Sequence, residues 1–269
     1  MDYAKELNVA LEAAAKASDY LRGAYAAFTP IPDAPASIST EADRTSQDLI
    51  LAHLLAAFPD DALCAEEGTA ALREAKRQGP RLWVVDPIDG TRGFAMKNGE
   101  FSVMIGLVVD GEIAVGVVLE PVLERVTYAT RGGGCSMRIG TTAPVACAVS
   151  ATTAFNDVVL VQSHSHSPSR ALKALRPARV IEMYSAGVKL AVVARGEADL
   201  YANTYPNFKD WDICAGHILV TEAGGKVTML NGNDIGFCAP DYSQRGGLLA
   251  SNGRLHQEAV KRFGIAGIG

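Results

Sequence analysis

The 269-residue chain has no surplus of positive charge: 25 Lys and Arg stand against 30 Asp and Glu, for a net charge of −5. Nucleic-acid-coating proteins are usually basic, so no nucleic-acid polymer is expected as a partner. A small anionic ligand stays open, because a local field or a bound metal outweighs a mild overall charge. Cysteines are few, at 64, 135, 147, 214 and 238, and no two have C-x-x-C spacing. An odd count without that spacing speaks against a disulfide framework and against structural zinc. Free thiols in a reducing cytoplasm are the expectation. No apolar run reaches about 18 residues, so no membrane span is expected. Residues 1–15 mix Asp2, Lys5, Glu6 and Glu12 with alanines and leucines, an amphipathic helix rather than a signal peptide. Internal repeats and low-complexity tracts are missing, and a P-loop is excluded because no G-x-x-x-x-G-K-[ST] occurs.

What remains is the balance of a globular protein, 48% hydrophobic and 20% charged. Leu7, Ala10, Leu11, Ala14 and Ala15 keep a helical period. Thr40 to Asp43 reads as a helix start, a hydroxyl followed three residues later by a carboxylate, with Leu49, Ile50, Leu54, Leu55 and Phe58 as its apolar face. Leu82 to Val85 reads as a short strand running into a turn at Asp86-Pro87. Residues 101–109 and 112–119 read as a hairpin around Asp110-Gly111. The Arg131-Gly132-Gly133-Gly134 stretch reads as a hairpin turn rather than a phosphate loop. Strands near 157–161, 179–183 and 226–230 alternate with helices from Ser169, over 187–195 and over 212–223. The pattern predicts layered α+β architecture in two packed subdomains, 1–150 and 151–269, with the boundary near 145–155.

The chemistry rests on acids. In Trp83-Val84-Val85-Asp86-Pro87-Ile88-Asp89-Gly90-Thr91 an apolar strand ends in two aspartates three residues apart. Pro87 stiffens the chain there, and the amides of Gly90, Thr91 and Arg92 open a helix suited to an anion. Glu66 and Glu67 lie upstream, Asp43 sits at its own helix start, and Trp211-Asp212 opens another helix. Each acid alone has an ordinary reading as cap, turn or solvated loop. Converging, they could not all stay ionised, since two unit charges about 4 Å apart repel by about 4 kcal/mol at an effective dielectric near 20. All-oxygen donors select hard cations, so Mg²⁺ is expected over zinc or copper. Two such ions can clamp the attacking and leaving oxygens of a phosphoryl displacement.

Asp43, Glu66-Glu67, the Asp86 to Thr91 block, Trp211-Asp212 with Ala215, and Glu222-Ala223-Gly224-Gly225 resemble the inositol monophosphatase superfamily over about residues 5–255. The resemblance implies a layered αβαβα sandwich of the inositol monophosphatase/fructose-1,6-bisphosphatase type. It also implies a homodimer and a Mg²⁺-dependent, lithium-sensitive phosphomonoesterase. Carried over, one metal falls on Glu66, Asp86 and the Ile88 carbonyl, and a second on Asp86, Asp89 and Asp212. Glu67 and Asp43 order water around a weaker third. Thr91 holds the attacking water and, with Glu66 or Asp43, helps remove its proton, while the Gly90 and Thr91 amides hold phosphate oxygens. A haloacid-dehalogenase phosphatase, with a phospho-aspartate at Asp86, is disfavoured by the three-residue spacing and the intervening proline. A degenerate member that only binds phosphorylated ligands is disfavoured because Glu66, Asp86, Asp89, Thr91 and Asp212 are all kept.

The substrate is read from the second half. Tyr184-Ser185-Ala186-Gly187-Val188-Lys189 falls where the family places a substrate-facing helix start, so Ser185, Gly187, Lys189 and Asp212 are the expected substrate contacts. A lysine there, and Ser163-His164-Ser165-His166, resemble 3′(2′),5′-bisphosphate nucleotidases. The histidines read as a polar loop rather than a metal tract. The 201–210 loop, with Asn203, Thr204, Tyr205, Asn207 and Lys209, lacks the glutamate with which inositol phosphatases hold an inositol hydroxyl. The expected reaction is hydrolysis of adenosine 3′,5′-bisphosphate to AMP and phosphate. Inositol 1-phosphate and other sugar or histidinol phosphates are the alternatives.

Overall fold

The computed structural model describes residues 3–165, 167–205 and 208–268; Met1, Asp2, His166 and Asn207, named above, lie outside them. The first half runs α1 (Ala4–Ala27), α2 (Glu41–Ala57), β1 (Ala62–Ala65), α3 (Ala70–Glu74), β2 (Arg81–Asp89), α4 (Thr91–Ala95), β3 (Ser102–Val109), β4 (Glu112–Glu120), β5 (Arg125–Thr130), β6 (Gly134–Ile139) and β7 (Val145–Ala146). The second runs β8 (Val159–Gln162), α5 (Arg170–Leu175), β9 (Arg179–Glu182), α6 (Ala186–Ala194), β10 (Leu200–Asn203), β11 (Phe208–Lys209), α7 (Asp210–Glu222), β12 (Lys226–Thr228), β13 (Ser243–Gln244), β14 (Leu248–Ser251) and α8 (His256–Ile265).

β1 to β7 form one sheet in sequence order, antiparallel except for the parallel β1–β2 pair. The second sheet has the order β12-β14-β10-β8-β9 and mixes parallel with antiparallel pairs. Helices α1 and α2 cover the outer face of the first sheet, α6 and α7 fill the space between the sheets, and α5 and α8 close the far side. The result is the five-layer αβαβα order, with one apolar cluster at each of the outer interfaces and one around the central helices. Among the described residues, no helix is long and apolar enough to cross a membrane.

Local chemistry accounts for several boundaries. Thr40 caps α2, and the Asp43 carboxylate returns to the Thr40 amide at 2.7 Å, a reciprocal cap. Of the apolar face read for α2, Ile50 and Leu54 are buried, whereas Leu49 is 38% exposed. Strand β8 begins two residues later than its sequence reading, after a single 3₁₀ turn over Phe155–Asp157. Helix α3 had no signal strong enough to read in five residues.

α7 is apolar nearly all round, as a helix between two sheets must be. It lies close on β3 and β4 because Gly106 and Gly116, paired across those strands, leave room for it. A Cβ on Gly106 would stand 2.6 Å from the Cys214 sulfur, and one on Gly116 would stand 2.4 Å from the Ala215 carbonyl oxygen. The start of α7 is thereby set over the end of β2. Gly116→Ala is expected to lower stability by about 1–3 kcal/mol through overpacking, read as a lower urea midpoint. A wild-type midpoint would contradict this account of how α7 is seated.

Candidate active site

Asp86 and Asp89 are three residues apart, a spacing that points side chains to opposite faces of a regular strand. β2 is not regular there. Asp86 pairs with Met104 and Asp89 with Ser102, so three steps on β2 answer two on β3. This is a β-bulge, and it restores both aspartates to one face. The turn expected after Val85 is therefore a bulge inside a strand that continues to Asp89. Proline is tolerated because the bulge needs no ladder donor at that position. The Ile88 amide donates to Asp86 Oδ1 at 3.0 Å, and the Ser46 hydroxyl donates to the Pro87 carbonyl at 3.2 Å. Gly90 then turns the chain into α4 at φ 91°. Any Cβ there would lie 2.7 Å from the Glu100 carbonyl oxygen, so both conformation and space call for glycine.

Glu66 follows β1, the parallel neighbour of β2. Its loop is pinned by Gln47, whose side chain accepts the Glu67 amide at 2.8 Å and donates to the Glu67 carbonyl at 2.7 Å. Asp212 is the third residue of α7 rather than its cap, and its carboxylate accepts the Lys209 amide at 2.6 Å. Glu66, Asp86, Asp89 and Asp212 line one cavity of about 580 Å³, together with Ile88, Gly90 and Thr91. A second lobe of about 680 Å³ shares Glu66, Asp89 and Asp212 and continues toward Tyr201, Tyr205 and Trp211.

The acids disturb one another. Burial and then the Asp212 charge push the Glu66 carboxyl up to about 8. Burial, followed by the charges of Glu66 and Asp89, holds Asp86 well above the ordinary range. Burial, then the Asp89 charge, takes Asp212 to about 7. Glu66 and Asp86 are hydrogen-bonded to each other, which two bare carboxylates cannot be; the pair needs a proton or a cation. Among the described residues no three acids are already drawn around a common point, so holding an ion takes rotamer adjustment along the cavity wall. The donor set itself, carboxylates with the Ile88 carbonyl beside them, is that of a hard divalent cation.

Thr91 Oγ1 lies 2.9 Å from Asp43 Oδ1 and 3.0 Å from the Ile88 carbonyl oxygen. Asp43 is buried behind it, its carboxyl raised by desolvation and held in place by Thr40. Glu67 is less central: its carboxylate accepts the Ser39 hydroxyl at 2.7 Å and stands 4.0 Å from Arg44.

The 184–189 segment borders the second lobe through Tyr184, Ala186 and Lys189, while Ser185 and Gly187 brace Asp89 from behind. Ser185 is fully buried; its hydroxyl donates to Asp89, lies 3.0 Å from the Ser102 hydroxyl and caps α6. The Gly187 amide donates to the same Asp89 oxygen at 2.6 Å. Lys189 is 1% exposed, with Nζ 3.1 Å from Ser163 Oγ, 3.1 Å from the Met183 carbonyl and 2.9 Å from the Tyr184 carbonyl. Three acceptors use its three protons. Ser185 and the Gly187 amide therefore orient Asp89, and Ser102, which supports Ser185, went unnoticed in the sequence because nothing local marks it. His164 joins Glu100 at 2.7 Å beside the cavity and stacks on Tyr184 at 4.4 Å between ring centroids.

The raised carboxyls fix a pH dependence. Glu66 moves from the ordinary 4.5 to about 8 and Asp212 from 3.8 to about 7 on folding. Between those values the folded chain holds protons that the unfolded chain has released, so metal-free stability falls as pH rises through that window. The melting temperature without divalent metal is expected to be lower at about pH 8 than at about pH 5.5, and added Mg²⁺ to raise it most at the higher pH. Calorimetry in EDTA and in Mg²⁺ checks this; a metal-free Tm that rises across the window would contradict it.

The sequence pattern of the Inositol monophosphatase family matches residues 2–266. The fructose-1,6-bisphosphatase/inositol-1-monophosphatase of Thermotoga maritima is 33% identical over 83% of this chain and 81% of its own length. The 3′(2′),5′-bisphosphate nucleotidase CysQ of Salmonella typhimurium is 32% identical over 78% of this chain and 81% of its own length. The histidinol-phosphatase of Mycobacterium tuberculosis is 30% identical, covering 96% and 97%. Among solved structures, a Thermotoga maritima IMPase superposes with a TM-score of 0.82 at 28% identity, covering 97% of this chain and 98% of that one. Members of the family are metal-dependent phosphatases. The chain belongs to the inositol monophosphatase family and is a phosphoric monoester hydrolase.

Proposed function

We propose that the protein is a Mg²⁺-dependent 3′(2′),5′-bisphosphate nucleotidase, releasing phosphate from adenosine 3′,5′-bisphosphate and leaving AMP. The observation that carries the substrate is the second lobe: beyond the acids the cleft continues for about 680 Å³ beside Tyr184, Tyr201, Tyr205 and Trp211. The rings of Tyr205 and Trp211, neither of them buried, suit the flat face of a nucleobase, a face that an inositol ring does not offer. The 201–210 loop carries no glutamate to accept a sugar hydroxyl. The nucleotidase relative adds support.

In this reading Glu66, Asp86, the Ile88 carbonyl, Asp89 and Asp212 hold the metal ions, two with a weaker third, and Glu67 orders water near them. Bound Mg²⁺ neutralises phosphate charge and makes water more acidic. The protein's own groups supply position and the proton path. The Thr91 hydroxyl, held between Asp43 and the Ile88 carbonyl, aims the attacking water at phosphorus. Asp43, its carboxyl already raised, or Glu66 takes the proton. The Gly90 and Thr91 amides hold phosphate oxygens. Ser185 and the Gly187 amide keep the Asp89 carboxylate facing the cavity, and the nearby Lys189 charge favours its ionised form.

Two outcomes test this. With Mg²⁺, kcat/KM for adenosine 3′,5′-bisphosphate is expected to exceed that for inositol 1-phosphate and histidinol phosphate by about tenfold or more, about 1.4 kcal/mol in transition-state binding. A tenfold preference for inositol 1-phosphate would overturn the nucleotidase reading. Asp89→Asn is expected to keep the fold by circular dichroism and lower kcat by about 100-fold or more. Near-wild-type turnover would remove Asp89 from the metal site.

A further inference from the structure

The cations around the cleft are not equivalent. Lys189 spends its protons on Ser163, Met183 and Tyr184. Lys209 donates to the Asp241 carbonyl at 3.2 Å and the Ser243 hydroxyl at 2.8 Å. Arg92 lines the cavity directly after Gly90 and Thr91, yet its side chain makes no hydrogen bond or ion pair among the described residues, and its Nε is buried without an acceptor. Burying part of a guanidinium with nothing to receive its protons is costly unless a ligand receives them. No carboxylate of the cavity answers it, although the wall is rich in them.

Its direction is set. The guanidinium carbon lies 5.4 Å from the centre of the Tyr184 ring. That ring is also held by the tilted His164 ring, 4.4 Å away between centroids, through the Tyr184 amide to Glu100 Oε2 at 3.2 Å, and by its hydroxyl 3.4 Å from the Met96 sulfur. Arg92 thus lies against a fixed aromatic ring on the cavity wall, its guanidinium without a protein acceptor among the described residues. A guanidinium so placed grips a tetrahedral oxyanion through two parallel hydrogen bonds, which an ammonium cannot match.

We propose that Arg92 receives the second phosphate of the substrate, the one that is not hydrolysed, and is the residue by which the enzyme separates bisphosphorylated from monophosphorylated esters. The proposal rests on the nucleotidase reading and deepens it. In the sequence Arg92 is marked only by its amide, and Lys189 is the cation that stands out as a substrate contact.

The test is a cycle between side chain and substrate. Values of kcat/KM in Mg²⁺ are measured for wild type, Arg92→Gln and Arg92→Lys. The substrates are adenosine 3′,5′-bisphosphate and adenosine 3′-phosphate, which differ only in the second phosphate. The bisphosphate-to-monophosphate ratio is expected to fall by about tenfold or more in Arg92→Gln, mainly through KM, and to be partly restored in Arg92→Lys. Calorimetric binding of AMP, which keeps the second phosphate, is expected to weaken in parallel. A ratio unchanged within about twofold in both variants would overturn the role of Arg92. The two failures are distinct: a wild type that prefers inositol 1-phosphate sinks the nucleotidase reading whatever the ratio does, while a bisphosphate-preferring wild type with an unmoved ratio sinks Arg92 alone.

Discussion

The structure depends on a repulsion. Glu66, Asp86, Asp89 and Asp212 come from four separate points of the chain to one cavity, where burial and one another's charges oppose their ionisation. Left alone, such a wall takes up protons or moves apart. It can be maintained as a set of ligands only if the scaffold fixes each acid and a cation completes it. Much of the architecture reads as that scaffold.

Each acid is fixed by a different device. The bulge in β2 turns a three-residue spacing into a shared face for Asp86 and Asp89. Gln47, from α2, clamps the backbone after Glu66. Asp212 is placed by α7, whose seat on the first sheet exists because Gly106 and Gly116 carry no side chain. Asp89 is held from the far side by the start of α6, through Ser185 and Gly187. The central helices therefore join the two sheets at the point where the chemistry occurs. A packing fault between them is a fault in the site.

The cleft divides labour by charge. Its floor is acidic and suited to metal, while its wall offers Tyr184, His164 and the unpaired Arg92. In the proposed reading, the phosphate to be hydrolysed and the rest of the substrate meet surfaces of opposite character. The relatives are named for inositol, histidinol and nucleotide phosphates at similar identity, 30–33%, so overall likeness does not choose among the esters.

The sequence by itself determined the family, and with it the phosphatase chemistry: the Asp86 to Thr91 block, Glu66-Glu67 and the Asp212 helix start recur together in it, because a motif of residue types in local order survives where the rest of the chain diverges. It also determined the layered fold, since periodic apolar faces and glycine turns are local signals. Only the tertiary structure decided which polar groups are already spent. Lys189 and Arg92 look alike as cations in a sequence, but one is buried among three oxygens contributed by other segments and the other stands unpaired in the cleft. Whether a side chain is free to meet a substrate depends on partners distant along the chain, and that is information no local pattern carries.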